Sequence, residues 1–250
     1  RETLILPVVW EKEPFWWKET QYNWPVCNPL TGKIEKQYPY FLPINDSTYE
    51  PTKKEYEFQE NTLPLNWIHR RVNLENSYSL NTKTGYLSMY CLPDTIKERS
   101  PYNFIGIKQK ETHFETSTTM QFNPTINGEE AGLCLIQKDD NYILFDVRHE
   151  DNENVLRLVI NAKKKNAILQ KDLVMGKKYK NYIELKVILK ENKYHFYYRY
   201  QSNDLWELFD TTASNLLLSE GYTGSHIGLY ATSNGKKSIN FASFDVFKLN

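Results

Sequence analysis

No apolar run in this sequence approaches the roughly 18 residues that a helix needs to cross a bilayer. The start at Arg1 carries neither a charged n-region nor an apolar h-region. The sequence therefore reads as soluble, without a membrane partner, and leaves secreted and cytoplasmic locations both open. Charge of one sign is also missing. With 31 Lys and Arg against 31 Asp and Glu, no global field draws the chain to nucleic acid. Cysteine is scarce. Cys27, Cys91 and Cys134 are odd in number, far apart and without CxxC spacing, which argues for three separate thiols over a zinc site or a disulfide framework. Asn45, Asp46 and Ser47 form a glycosylation sequon that matters only for a secreted protein.

Nucleophile machinery is absent as well: there is no GxSxG, no Walker loop, and no Cys with a matching His and Asn pattern. His69, His113, His149, His195 and His226 are isolated, with neither HxH nor HExxH. Carboxylates are plentiful, but Glu129 with Glu130, Asp139 with Asp140, and Glu150, Asp151 and Glu153 fall at strand ends and turns. Solvation is the expectation there. No spacing in a β-rich chain reveals the two carboxyls that a glycosidase sets about 5 to 10 Å apart across a sugar. No catalytic residue or metal ligand is singled out and no cofactor is expected, although the acidic turn at 150–153 offers hard oxygen ligands that would suit a structural calcium. The lysine run at 163–165 is too short for a nucleic-acid patch.

What is present is alternation and aromatic bulk. Ala131, Leu133 and Leu135 fall at every second position, as do Ile143, Phe145 and Val147, and the polar QKDDN between them is turn chemistry. Gly132 leaves a gap on the opposite face, where a backbone or a large ring can approach. The same period places Phe114, Thr116, Thr118, Met120 and Phe122 on one face, then Leu156, Leu158 and Ile160, then Tyr194, Phe196, Tyr198 and Tyr200. Near the end it groups Ile227, Leu229 and Ala231, and then Ala242, Phe244 and Val246. Turns are expected around Asn81 and Gly85, and across 190–193. Roughly a dozen short strands without a helix longer than a turn or two describe an all-β, antiparallel two-sheet sandwich. The 18 Tyr, 12 Phe and 6 Trp fit either its core or a surface that stacks on sugar rings.

The amino end differs. Leu4 and Leu6 alternate in a strand that Pro7 demotes to an edge or an end, and a Trp- and Pro-dense loop follows, in which Trp16, Trp17 and Trp24 have nothing nearby to pack on. Pro39, Pro43 and Pro51 then mark an extended linker. The organisation expected is 1–33 as an orphaned edge, 34–55 as linker and 56–250 as the sandwich.

Phe122, Pro124, Gly128, Glu129, Glu130, Ala131, Gly132 and Leu133, with Tyr142 downstream, resemble the signature of the carboxy-terminal β-sandwich of family 43 glycoside hydrolases, the β-xylosidase and α-arabinofuranosidase type. Trp67 with Arg70, then Tyr78, Gly85, Tyr86 and Leu87, resemble its opening strands; Tyr222, Thr223, Gly224, Gly228, Leu229, Tyr230, Phe241, Phe244 and Phe247 resemble its end. Arg1, Pro7, Val8, Trp10, Trp24 and Pro25 resemble the last strand of the catalytic propeller that precedes the sandwich. The resemblance implies a concanavalin A-like jelly roll with a propeller remnant at its amino end. It implies a propeller domain of the same protein as partner, xylo- or arabino-oligosaccharide as substrate, and association of copies through the sandwich. Two substrate-binding positions follow from it: Arg1, matching an arginine that binds sugar hydroxyls in the pocket, and Tyr222, matching an aromatic that closes the pocket. The competing readings are a free-standing carbohydrate-binding module, with Trp206 or Tyr222 stacking on xylan, and a laminin-G-like module for protein partners.

Overall fold

The computed structural model describes residues 6–11, 24–35, 54–74, 76–162, 167–217 and 224–250. Leu4, Trp16, Trp17, the sequon, the lysine run, Arg1 and Tyr222 lie outside the described residues. The chain divides into two units, Arg1–Glu50 and Pro51–Asn250.

In the first unit, β1 (Val8–Glu11) pairs antiparallel with β2 (Trp24–Cys27), Trp10 opposite Pro25. One expectation is corrected here: the Trp-rich segment, read as a loop, contains a strand. Beside Pro7, β1 is an edge strand, one of the two outcomes expected there. Proline is tolerated in β2 because a two-stranded ribbon is all edge. Asn28 ends it in a left-handed turn at φ 51°, with its amide donating to Pro7 O at 2.9 Å.

The second unit carries fifteen strands among the described residues: β3 (Lys54–Tyr56), β4 (Ile68–His69), β5 (Tyr78–Ser79), β6 (Leu87–Tyr90), β7 (Phe104–Lys108), β8 (Phe114–Gln121), β9 (Glu130–Lys138), β10 (Asn141–Glu150), β11 (Glu153–Ala162), β12 (Ala167–Val174), β13 (Tyr182–Lys190), β14 (Lys193–Arg199), β15 (Glu207–Ala213), β16 (His226–Thr232) and β17 (Phe241–Leu249). One sheet runs β12-β11-β10-β9-β16-β7-β4 and the other β15-β14-β13-β8-β17-β6-β5, with β3 added on β17; every pair is antiparallel. The all-β sandwich expected from the alternation is the fold observed. Its hairpins follow from turn chemistry: Asp151 and Asn152 (φ 49° and 64°) join β10 to β11, and Glu191 and Asn192 (φ 50° and 57°) join β13 to β14. Two positive φ values in a two-residue loop match the twist of the flanking strands.

The core lies between the sheets. Leu133, Phe145 and Leu158 face it from neighbouring strands, and the Phe145 ring meets Phe196 and Phe209 of the other sheet, each at 5.5 Å. One end is closed by Trp67, whose ring stands edge-on to Tyr56 at 4.9 Å and to Phe247 at 5.2 Å. Among the described residues of the second unit, aromatic content is thus largely core packing. Along β17 the alternation breaks. Phe244 pairs with Met120 but Phe247 with Thr118, so β17 carries one extra residue. This bulge turns Phe247 into the core and leaves Val246, expected inside, half-buried. Its carbonyls are used: Thr118 Oγ1 donates to Val246 O at 2.8 Å and Thr116 Oγ1 to Lys248 O at 2.9 Å.

The seven-stranded sheet is also covered on its outer face. Cys134, Ile136, Tyr142, Leu144 and Tyr230 pack there beneath Ile96 and Tyr102 of the segment between β6 and β7. The Ile96 amide donates to Tyr230 Oη at 3.0 Å and pins that cover. Burial on both faces places charges of β9, β10 and β11 inside the protein.

Candidate functional site

The GEEAG run that opens β9 is assembled residue by residue. Gly128 adopts φ 99°, a conformation that costs other residues strain. Glu129 is fully buried, and Thr125 N (2.8 Å), Ile126 N (3.2 Å), Asn240 Nδ2 (2.9 Å) and Ser238 Oγ (2.5 Å) all donate to its carboxylate. Burial pushes this carboxyl up, but the donors from Ser238, Asn240, Thr125 and Ile126 outweigh it and hold the group below its ordinary value. Its stabilisation is present above the unfolded pKa and lost as pH falls through the lower folded one.

Glu130 points at the outer face, where Arg157 Nη2 bonds its Oε2 and Arg148 Nη1 lies 3.3 Å away. Arg157 Nε lies 3.4 Å from Asp146 Oδ1, and Arg148 Nη2 lies 3.3 Å from Glu150 Oε1. Asp146 sits opposite Arg157 on β11 and Gly132 on β9. A Cβ on Gly132 would stand 2.4 Å from Phe145 O and 2.5 Å from Asp146 Cα. The gap expected at Gly132 is therefore filled by the backbone of β10. Glu130, Arg148, Glu150 and Arg157 line a hollow of about 190 Å³ with Lys97, Leu144 and Gln170.

Glu129 and Glu130 correct the solvated reading, being buried at 0% and 2% exposure, and Asp146, not singled out from the sequence, is buried with them at 0%. Burial pushes the Asp146 carboxyl up, to about 7, with Glu130 adding to the shift and Arg157 and Arg148 opposing it. The unfolded chain loses this proton near pH 4 and the folded chain only near 7, so the group lowers stability as pH rises through that window. Asp146→Asn is expected to flatten the fall between about pH 4.5 and 8, read as urea midpoints; a slope equal to that of the parent chain would refute it. Chemically, one guanidinium engaged by two buried carboxylates is a cross-link of β9, β10 and β11. The signal that could have revealed it is a charge of each sign embedded in apolar runs, Asp146 in ILFDV and Arg157 in VLRLV.

Elsewhere, Glu150 pairs with Arg148 at the expected acidic turn, and among the described residues no three His, Cys, Asp or Glu are placed to hold a metal ion. Trp206, named as a stacking platform, lies half-buried with Lys186 Nζ at 4.3 Å and Arg199 Cζ at 4.5 Å over its ring. Of the two expected substrate-binding positions neither is described. The residues flanking 218–223 are tied together, Ser225 Oγ donating to Leu217 O at 3.2 Å, and Gln109 N donates to Ser225 O at 2.9 Å.

Residues 55–250 match the family described as the β-xylosidase C-terminal concanavalin A-like domain. A xylosidase/arabinosidase of Butyrivibrio fibrisolvens is 28% identical, over 99% of this chain and 46% of its own. A non-reducing end α-L-arabinofuranosidase of Bacteroides ovatus is 26% identical, over 99% and 44%. Among solved structures, the Bacteroides ovatus xyloglucan PUL GH43B superposes with a TM-score of 0.78 at 23% identity, covering 98% of this chain and 46% of that one. The chain spans less than half the length of the curated relatives it matches, and in them the matched region is one part of a larger protein.

Proposed function

The chain belongs to the family of β-xylosidase C-terminal concanavalin A-like domains, and from that membership we propose that it is the accessory sandwich of a family 43 glycosidase acting on xylo-oligosaccharides or arabinosides. On this reading residues 1–33 complete a catalytic propeller, 34–55 link it, and 56–250 buttress it. The catalytic carboxylates belong to the propeller. Arg1 offers a guanidinium fork to sugar hydroxyls, and Tyr222 reaches across to close the pocket around short substrates. Copies associate through the sandwich. One observation carries the reading: each curated relative is more than twice as long as the stretch it shares with this chain.

The test is hydrolysis of a chromogenic xyloside and a chromogenic arabinofuranoside by this chain alone, then with the propeller that the reading places ahead of it. No turnover alone, and turnover restored by the propeller, is the expected result. Tyr222→Ala should then lower kcat/KM about tenfold or more, with KM carrying part of the loss. Turnover by the chain alone would assign the chemistry to its own carboxylates and overturn the accessory role. Failure of the propeller to restore activity, with xylan binding retained by the chain, would favour the free-standing module.

A further inference from the structure

A second hollow on the outer side of the seven-stranded sheet is larger and more strongly cationic. Arg70 and Arg71 follow β4, Lys138 with Asp139 and Asp140 forms the β9 to β10 turn, and Lys97 and Arg99 come from the segment between β6 and β7. Together they line a cavity of about 520 Å³. Five cations face two carboxylates there, an excess of three positive charges. Both carboxylates are already engaged: Arg71 pairs with Asp139, Arg70 Nη2 lies 3.6 Å from it, and Lys138 Nζ lies 3.0 Å from Asp140. Lys97 and Arg99 make no ion pair among the described residues. Arg70 Nε is buried without a hydrogen-bond partner, as is the neighbouring Ser100 Oγ. The field extends beyond the cavity, since burial and the charges of Arg70 and Lys108 push His226 below its ordinary value.

We propose that this cavity binds a sugar acid, a monosaccharide unit bearing one carboxylate. Guanidinium forks match the two oxygens of a carboxylate, which a lysine alone does not. Asp139 and Asp140 accept hydrogen bonds from hydroxyls and repel a dianion, so the mixed lining suits a singly charged, hydroxyl-rich ligand better than phosphate. The volume falls within the roughly 300–1,000 Å³ of small-molecule pockets and exceeds what a bare ion fills. The anion is read from the cavity alone; that a sugar carries it rests on the carbohydrate reading above.

Calorimetric titration of the full chain with D-glucuronate, D-xylose and inorganic phosphate at low salt tests this. Glucuronate is expected to saturate one site, to weaken about tenfold on raising salt from about 50 to 500 mM, and to weaken at least about tenfold in the double variant Lys97→Gln, Arg99→Gln. Both side chains are exposed, so the variant should keep the parent melting temperature. Xylose should not compete. A glucuronate-bearing xylo-oligosaccharide that binds more tightly than the free acid identifies a decorated polysaccharide as the source; equal binding identifies the free acid. No saturation by glucuronate, equal binding by the double variant, or phosphate bound as tightly as glucuronate overturns the proposal. The same variant should leave propeller-restored turnover of the neutral chromogenic substrates unchanged, so failure of the sugar-acid site and failure of the accessory role are read separately.

Discussion

Arg157→Met is expected to destabilise the sandwich by about 3–5 kcal/mol near pH 8, seen as a lower urea midpoint at unchanged slope. The side chain has 5% exposure and bonds Glu130 while lying 3.4 Å from Asp146. Methionine keeps much of the volume but takes the ion-pair partner from Asp146, at 1% side-chain exposure, and leaves Glu130, at 3%, with Arg148 alone, 3.3 Å away. One escape is open to the protein: Asp146, already raised by burial, can hold a proton. The loss should therefore shrink near pH 5, where that carboxyl is neutral in the folded state. Adding Glu130→Gln and Asp146→Asn to Arg157→Met should recover most of it, because a neutral cluster has no charge to desolvate. A cost below about 1 kcal/mol at pH 8, or the same cost at both pH values, would show that the guanidinium is not what holds these strands together.

The parts of the fold that were legible in the sequence are those where one face is apolar and the other polar. β8 is the clearest case, since Phe114 to Met120 alternate with half-exposed residues, and a period of two has no helical counterpart. β7 left no such trace: FIGIK is buried on both faces up to its last residue and shows no polar phase. β12 and β15 each lie at the edge of a sheet, where no apolar face is buried as a whole: the side chains described in β12, 169–174, are all exposed, and ELFDTTA buries only Phe209. The bulge in β17 was hidden because an inserted residue shifts the phase without changing composition.

The site was less legible for a related reason. A glutamate beside a turn reads as solvated, and only tertiary structure reveals that the 238–240 segment folds over Glu129 and that Ile96 and Tyr102 roof the face next to Glu130. Seen in place, the family signature is largely structural. Gly128 makes the turn, Glu129 ties two loops, Glu130 takes Arg157, Ala131 fills the core, and Gly132 admits the β10 backbone.

Gly228→Ala tests how closely the centre of the seven-stranded sheet is built. Gly228 on β16 stands opposite Gly106 on β7 and Cys134 on β9. A Cβ there would lie 2.3 Å from Ile105 O and 2.5 Å from Gly106 Cα; one on Gly106 would meet Ile227 O at 2.5 Å and Phe104 Cζ at 2.6 Å. These partners are chiefly backbone, which cannot swing aside as a rotamer can, so relief requires β7 and β16 to part in the middle of the ladder. The cost should reach the upper end of the overpacking range, about 3 kcal/mol or more. Gly224→Ala is the matched control, because its Cβ would meet only Lys108 Cε, at 3.5 Å, and that side chain can move. It should stay within about 0.5 kcal/mol of the parent chain. Cross-strand sterics and the generic loss of glycine flexibility predict different outcomes here. The first makes Gly228→Ala far the worse, whereas the second makes both substitutions mildly stabilising through the unfolded chain. Urea midpoints for the two variants decide between them, and a Gly228→Ala protein as stable as its Gly224→Ala counterpart would mean that the β7 and β16 backbones are not in close contact.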